Sequence, residues 1–272
     1  MTGRFSGMWW RLAALLAVIM ISIPAMARPL TFAFGDHNEA PFAIVENGQL
    51  KGGFALEFGR ALASRLGLDA AFRFVPRNRI AAEISTGSVD AYCLAAQPYY
   101  PAFAPDRFTQ SFFTDHDIVL LSAGLRGPAA IDSLLGARVG TVLGFLYPAA
   151  VEALFSSGKA ERIDARNADG NLRKLQGGRL DAVILPLATW RLAVSRDEAL
   201  AMVARPDFIP VAARDRVCLV SPASPVTVPE MNLAIQSLAS DGTLAVMLRD
   251  LGLSTSLQSS QLPLTAPGPA RR

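Results

Sequence analysis

The sequence predicts an α/β fold built from two successive units, each a parallel sheet covered by helices. Three observations carry this. Short apolar runs alternate with helix-period segments, and the alternation halts at a loop bearing Gly124, Gly127 and Pro128 before restarting. The third is composition: of 272 residues 51% are apolar and 18% charged, which excludes a disordered, collagen-like or nucleic-acid-coating chain. The length allows one large domain or two ordinary ones.

Leu30 to Phe34 reads as a strand, Gly53 to Leu66 as a helix and Ala70 to Val75 as a second strand. A helix over Asn78 to Thr86 opens on Asn78, whose side chain suits an N-cap, and Asp90 to Ala95 is a third strand. Strands and helices in that order call for a parallel sheet with right-handed crossovers. Asp117 to Ser122, with its Ile-Val-Leu-Leu run, is a further strand before the loop. The pattern resumes with strand Arg138 to Val142, helix Pro148 to Ser156, strand Glu161 to Ala165, helix Gly170 to Gln176 and strand Asp181 to Leu185. Ile209 to Ala212 and Val217 to Val220 are strand-like; Val228 to Ala239 and Gly242 to Leu251 are helical. The tail 254–272 has no periodicity and is expected to be disordered.

The first 27 residues read as a secretory signal. Arg4 and Arg11 precede the apolar run Leu12 to Ile23, and Ala25-Met26-Ala27 is an A-x-A cleavage site. The run is short for a membrane span, so the expectation is cleavage after Ala27 and a periplasmic, soluble product without a lipid anchor, since Arg28 and not Cys follows. Without Arg4 and Arg11 the remainder carries 24 basic against 23 acidic residues. That near-balance gives no basic face for nucleic acid. Cys93 and Cys218 lie in apolar strand-like runs, where they can pair in an oxidising compartment or serve as small buried hydrophobes.

Five motifs in order carry a resemblance. Pro41-Phe42 precedes Gly48-Gln49-Leu50-Lys51-Gly52-Gly53-Phe54 at a turn into the first helix. Gly87-Ser88-Val89-Asp90-Ala91 and Gly178-Arg179-Leu180-Asp181-Ala182-Val183 enter strands, Gly136-Ala137-Arg138-Val139-Gly140 opens the second unit, and Ala239-Ser240-Asp241-Gly242-Thr243-Leu244 forms a turn near the end. With these the chain resembles the bacterial extracellular solute-binding proteins of family 3, which serve polar amino-acid ABC importers. The resemblance implies the type II periplasmic-binding-protein architecture: two α/β lobes joined by two crossing hinge strands. Lobe 1 is expected over 28–122 and 215–253, lobe 2 over 123–214. It further implies a small-molecule ligand captured by hinge closure, an inner-membrane ABC permease as partner, a monomer, and Cys93 and Cys218 on neighbouring strands, in range of a disulfide.

In open parallel sheets ligands lie beyond the carboxyl ends of strands, here Gly35 to Phe42, Val75 to Arg79, Ala96 to Tyr100, Leu143 to Tyr147 and Pro186 to Trp190. The candidate ligand-binding residues are Asp36, Phe42, Arg77, Arg79, Gln97, Tyr99, Phe145, Tyr147 and Trp190. Three anchors of the family are missing. The position of its carboxylate-binding Arg is Ala102, a second-lobe hydroxyl falls on Phe145, and its acidic residue falls within Leu185-Pro186-Leu187. A zwitterion needs a partner for each end, because unpaired buried charges are costly. The expected ligand is therefore not a standard α-amino acid but one with an apolar or aromatic body and one anionic group, met by Arg79 with Tyr99, Tyr147 and Trp190. No cofactor, metal or catalytic residue is expected. Two alternatives stay open: a periplasmic enzyme resembling cyclohexadienyl dehydratases, for which Glu39, Arg77 and Arg79 are the candidates, and a sensing or accessory module outside transport.

Overall fold

Residues 28–35, 37–251 and 253 are described in a computed structural model; the expected leader at 1–27 and tail at 254–272 lie outside them. The chain opens with β1 (Leu30–Phe34), buried at four of five positions, as a strand covered on both faces must be. A hairpin follows, β2 (Ile44–Glu46) and β3 (Gln49–Gly52), turning at Asn47 and Gly48 with both at positive φ. Asn-Gly is the dipeptide this turn favours, a signal the apolar pattern alone does not register. Gly53 then adopts φ 88°, where a Cβ would lie 2.8 Å from the Pro41 carbonyl oxygen and 2.9 Å from that of Phe42. Glycine is thus required for α1 (Phe54–Arg65) to start so close to the preceding loop.

β4 (Ala70–Phe74) leads through Pro76 into a 3-10 turn over Arg77–Arg79, then α2 (Ile80–Ser85) and β5 (Ala91–Ala95). The helix expected from Asn78 therefore begins later, and no side chain caps it. The Arg79 amide bonds back to the Pro76 carbonyl at 2.9 Å, which closes the tighter turn first. β6 (Phe113–Ser122) starts before the apolar run that predicts it. The second unit is β7 (Arg138–Val142), α3 (Ala149–Ser156), β8 (Glu161–Ala165), α4 (Ala168–Gln176) and β9 (Ala182–Pro186). It is followed by α5 (Leu187–Arg196) and α6 (Ala199–Val203), which periodicity did not single out. β10 runs unbroken over Ala204–Val220 where two short strands are expected. α7 (Val228–Ser240) begins in a capping box between Thr227 and Glu230, and α8 (Thr243–Asp250) follows.

The eight main strands form one sheet in the order β4-β1-β5-β10-β6-β9-β7-β8. β4, β1 and β5 are mutually parallel, as are β8, β7 and β9. Between these triplets β10 and β6 run antiparallel, β10 reaching β5 on its other side. Each triplet has the strand that comes first in sequence in the middle, so each has a switch point beside it. Asp90 and Asp181, from the two matching motifs, tie these triplets at their starts. Asp90 accepts the Thr31 amide (2.8 Å) and pairs with Arg28, while Asp181 accepts the Arg138 amide (2.8 Å) and its guanidinium.

The apolar interior divides accordingly. One cluster joins β1, β5, α1, α7 and α8 with the end of β10. Within it Phe54, Phe58, Phe112 and Phe113 interlock, the Phe58 and Phe112 rings 4.5 Å apart. Two further clusters cover the faces of the second triplet and take in Ile118 to Leu121 of β6 and Phe208 and Ile209 of β10. Cys93 of β5 and Cys218 of β10 are disulfide-bonded. Among the described residues no helix is long and apolar enough to cross a membrane.

Candidate functional site

The carboxyl ends of the two parallel triplets face each other across a cleft. Residues following β1, β4 and β5 close it from one side and those following β7 and β9 from the other, and the middle of β6 and β10 makes its floor. At its centre is a void of about 60 Å³, enough to hold water. Gly35, at the end of β1, is needed for this approach: a Cβ there would lie 2.5 Å from the His37 ring and 2.6 Å from the Val75 carbonyl oxygen.

The floor is charged. Arg214 of β10 forms an ion pair with Asp117 of β6, their side chains 5% and 4% exposed, and Arg216 pairs with Asp115 at 2.6 Å. Arg214 Nε also donates to the Tyr99 hydroxyl at 2.7 Å, and Arg216 Nη1 donates to the Leu94 carbonyl at 2.8 Å. Burial outweighs the attraction of Arg214 and pushes the Asp117 carboxyl up from its ordinary value, with Asp115 adding to the effect. None of these four residues is among the sequence candidates. Their signal is Asp115 and Asp117 facing Arg214 and Arg216 on paired strands, charges at period two inside apolar runs.

Around the void some polar groups are satisfied by the protein itself, whereas Thr189 Oγ1 and Arg216 Nε are buried there without a hydrogen-bond partner among the described residues. Asn38 Nδ2 donates to the Tyr92 hydroxyl at 2.7 Å, and the Val142 amide donates to the Tyr147 hydroxyl at 2.9 Å. His37 is pushed down to about 3, chiefly by burial and further by Arg77 and Arg216, so it is neutral near pH 7. Two contacts bridge the cleft. Arg77 donates from Nε to the Gly144 carbonyl (3.1 Å) with its guanidinium 3.9 Å over the Phe145 ring. Glu39 accepts the Ala168 amide, at the start of α4, at 2.6 Å. Burial raises that carboxyl to about 7 despite the hydrogen bond, and Asp169 raises it further.

Of the sequence candidates, Phe42, Arg77, Tyr99, Phe145 and Tyr147 line the void. Arg79 does not: it is 65% exposed and pairs with Glu83 one helical turn on. Gln97 is exposed at the start of a 3-10 turn. Trp190 is buried in the core between α5, α6 and β10, while its neighbour Thr189 faces the void. Asp36 lies outside the described residues. At the three expected anchor positions, Ala102 is exposed, Phe145 lies under Arg77, and Leu185 and Pro186 offer only apolar lining. Among the described residues no group of three or more His, Cys, Asp or Glu is placed to hold a metal ion.

No protein-family model and no curated protein sequence matches the chain. Many solved structures do. One is an ancestral arginine-binding protein bound to arginine, 19% identical, covering 83% of this chain and 99% of its own, TM-score 0.68. An ABC uptake transporter substrate-binding protein from Streptococcus pneumoniae with bound histidine is 16% identical over 82% and 92%, TM-score 0.67. A histidine kinase sensor domain with similarity to periplasmic binding proteins is 18% identical over 85% and 99%, TM-score 0.65. At these identities the likeness is one of fold. The chain has the fold of the type II periplasmic binding proteins.

Proposed function

We propose that this protein is a monomeric periplasmic solute-binding protein that captures a small molecule between two lobes and delivers it to an inner-membrane ABC permease. The lobes are residues 28–122 with 215–253, and 123–214, and they close by bending at β6 and β10. The observation that carries this reading is the cleft itself. Two switch points face each other, and Arg77 and Glu39 reach from one side to backbone groups of the other. Such bridging contacts exist only in a closed form, and a ligand that adds to them shifts the population toward closure.

The ligand is not a standard α-amino acid. The buried opposite charges on the floor, Arg214 and Asp117, neutralise each other, and the outer anchor positions carry Ala102, Phe145 and Pro186. A zwitterion would enter with one or both ends unpaired, at a cost of about 2–5 kcal/mol for each lost charge pair. The dehydratase-like alternative is not favoured: Glu39 is held by Ala168 and Arg79 by Glu83, which leaves Arg77 alone of its candidates.

Small-angle scattering of the protein during a solute screen tests the reading. A bound solute is expected to compact the particle, and each standard amino acid to bind at least about 30-fold more weakly. Solutes that bind tightly without compaction would sink it.

A further inference from the structure

The central void, at about 60 Å³, is too small for more than water, and beside it at the cleft mouth lies a second cavity. This one measures about 490 Å³, within the size range of small-molecule sites, and shares His37, Arg77, Tyr99 and Tyr100 with the inner void. Among the described residues its charges are one-sided. Arg77 contributes from the segment after β4 and Arg166 from the segment after β8, and no carboxylate lines the cavity among the described residues. Neither arginine makes an ion pair among those residues. Part of the wall is apolar in an unusual place: beside His37, Asn78 and the two tyrosines, Leu143 and Leu146 are 65% and 62% exposed. Two large aliphatic side chains left open beside two guanidinium groups without an ion-pair partner among the described residues match a ligand that is apolar at one end and anionic at the other.

We propose that the ligand-sized site is this mouth and that it takes an organic carboxylate, its charge met by Arg77 and Arg166 and its hydrocarbon body laid on Leu143 and Leu146. In the closed cleft Arg77 Nε is tied to Gly144 and its plane lies on Phe145, which fixes the guanidinium against a bound carboxylate. The two arginines come from opposite sides of the cleft. A carboxylate between them removes their mutual repulsion only when the cleft is closed, which makes the anion the element that drives closure. This rests on the solute-capture reading above and names its substrate class.

Calorimetry with hexanoate and 4-phenylbutyrate, against hexanol and 4-phenylbutanol, tests it, with scattering on the same samples. The carboxylates are expected to bind at least about tenfold more tightly than the alcohols and to compact the protein. Arg166→Gln is expected to remove about tenfold of that affinity without changing Tm, and Arg79→Gln to leave it unchanged. Equal binding of the alcohols, no binding of either carboxylate, or full affinity in the Arg166→Gln protein would overturn the proposal. If another solute still compacts the protein, capture stands and only the mouth site fails; if nothing compacts it, capture fails as well.

Discussion

Arg214 and Asp117 are each almost completely buried, so their pairing is the alternative to a bare charge in the protein interior. Replacing one partner strands the other, and Arg214→Met or Asp117→Leu alone should cost about 3–5 kcal/mol in urea denaturation. The double replacement is expected to be the more stable of the three, because it leaves no charge behind. Equal losses in the single and double variants would contradict this. The same local logic separates what could be read in the residues from what could not. Arg77 and Arg79 look equivalent in the sequence, but on a 3-10 turn they stand about 240° apart, so one faces the cleft and the other meets Glu83. Trp190 and Thr189 divide in the same way on α5, where one step is about 100°. Aromatic character pointed to Trp190, but helix phase gave the cleft position to Thr189. Phase was unreadable because the start of α5 was not marked by a cap.

The start of α4 illustrates how an element can make a side chain responsive to pH. Its first backbone amides lack partners within the helix, and Glu39 satisfies that of Ala168 from across the cleft. In this position the carboxyl is raised to about 7, above its ordinary 4.5. The proposed closure therefore takes up a proton. The closed form is favoured fully below about pH 4.5, and that advantage is lost as pH rises through 7. Scattering between pH 4 and about 8 should show progressive opening, and Glu39→Gln should flatten the dependence. An unchanged profile in that variant would place the titration elsewhere. α4 was legible in the sequence, with its cap at Asn167 hidden by Gly170. β10 was only half legible. Asp207, Pro210 and the Arg214-Asp215-Arg216 run interrupt its apolar pattern, but pairing with β6 and then β5 carries the strand through them, with register shifts on either side of Pro210.

At the scale of the molecule, the alternation of strands and helices was enough to read two α/β units. It could not read the strand order, because nothing local records which strands meet across the middle. The disulfide belongs to that long-range layer. Cys93 and Cys218 are 125 residues apart in sequence, and the bond encloses the whole second triplet. Chain-entropy arguments give about 3–5 kcal/mol for a closed loop of that size. Reduction, or Cys93→Ala with Cys218→Ala, should lower the urea midpoint and steepen the slope, because the released unfolded chain is less compact; an unchanged midpoint would mean the link adds nothing. The pairing of Ser122 with Ala204 has another implication. The chain departs from the β6–β10 ribbon and rejoins it at adjacent points, so everything between is a cassette hung on a hairpin. A natural splice would not fall at that pair, where Ile118, Leu120 and Phe208 would be stripped of neighbours. It would fall lower on the ribbon, near His116 opposite Ala213, where the interior changes from one cluster to the next. Exchange of the chain beyond that seam would replace one cleft-facing module and keep the same β6–β10 ribbon.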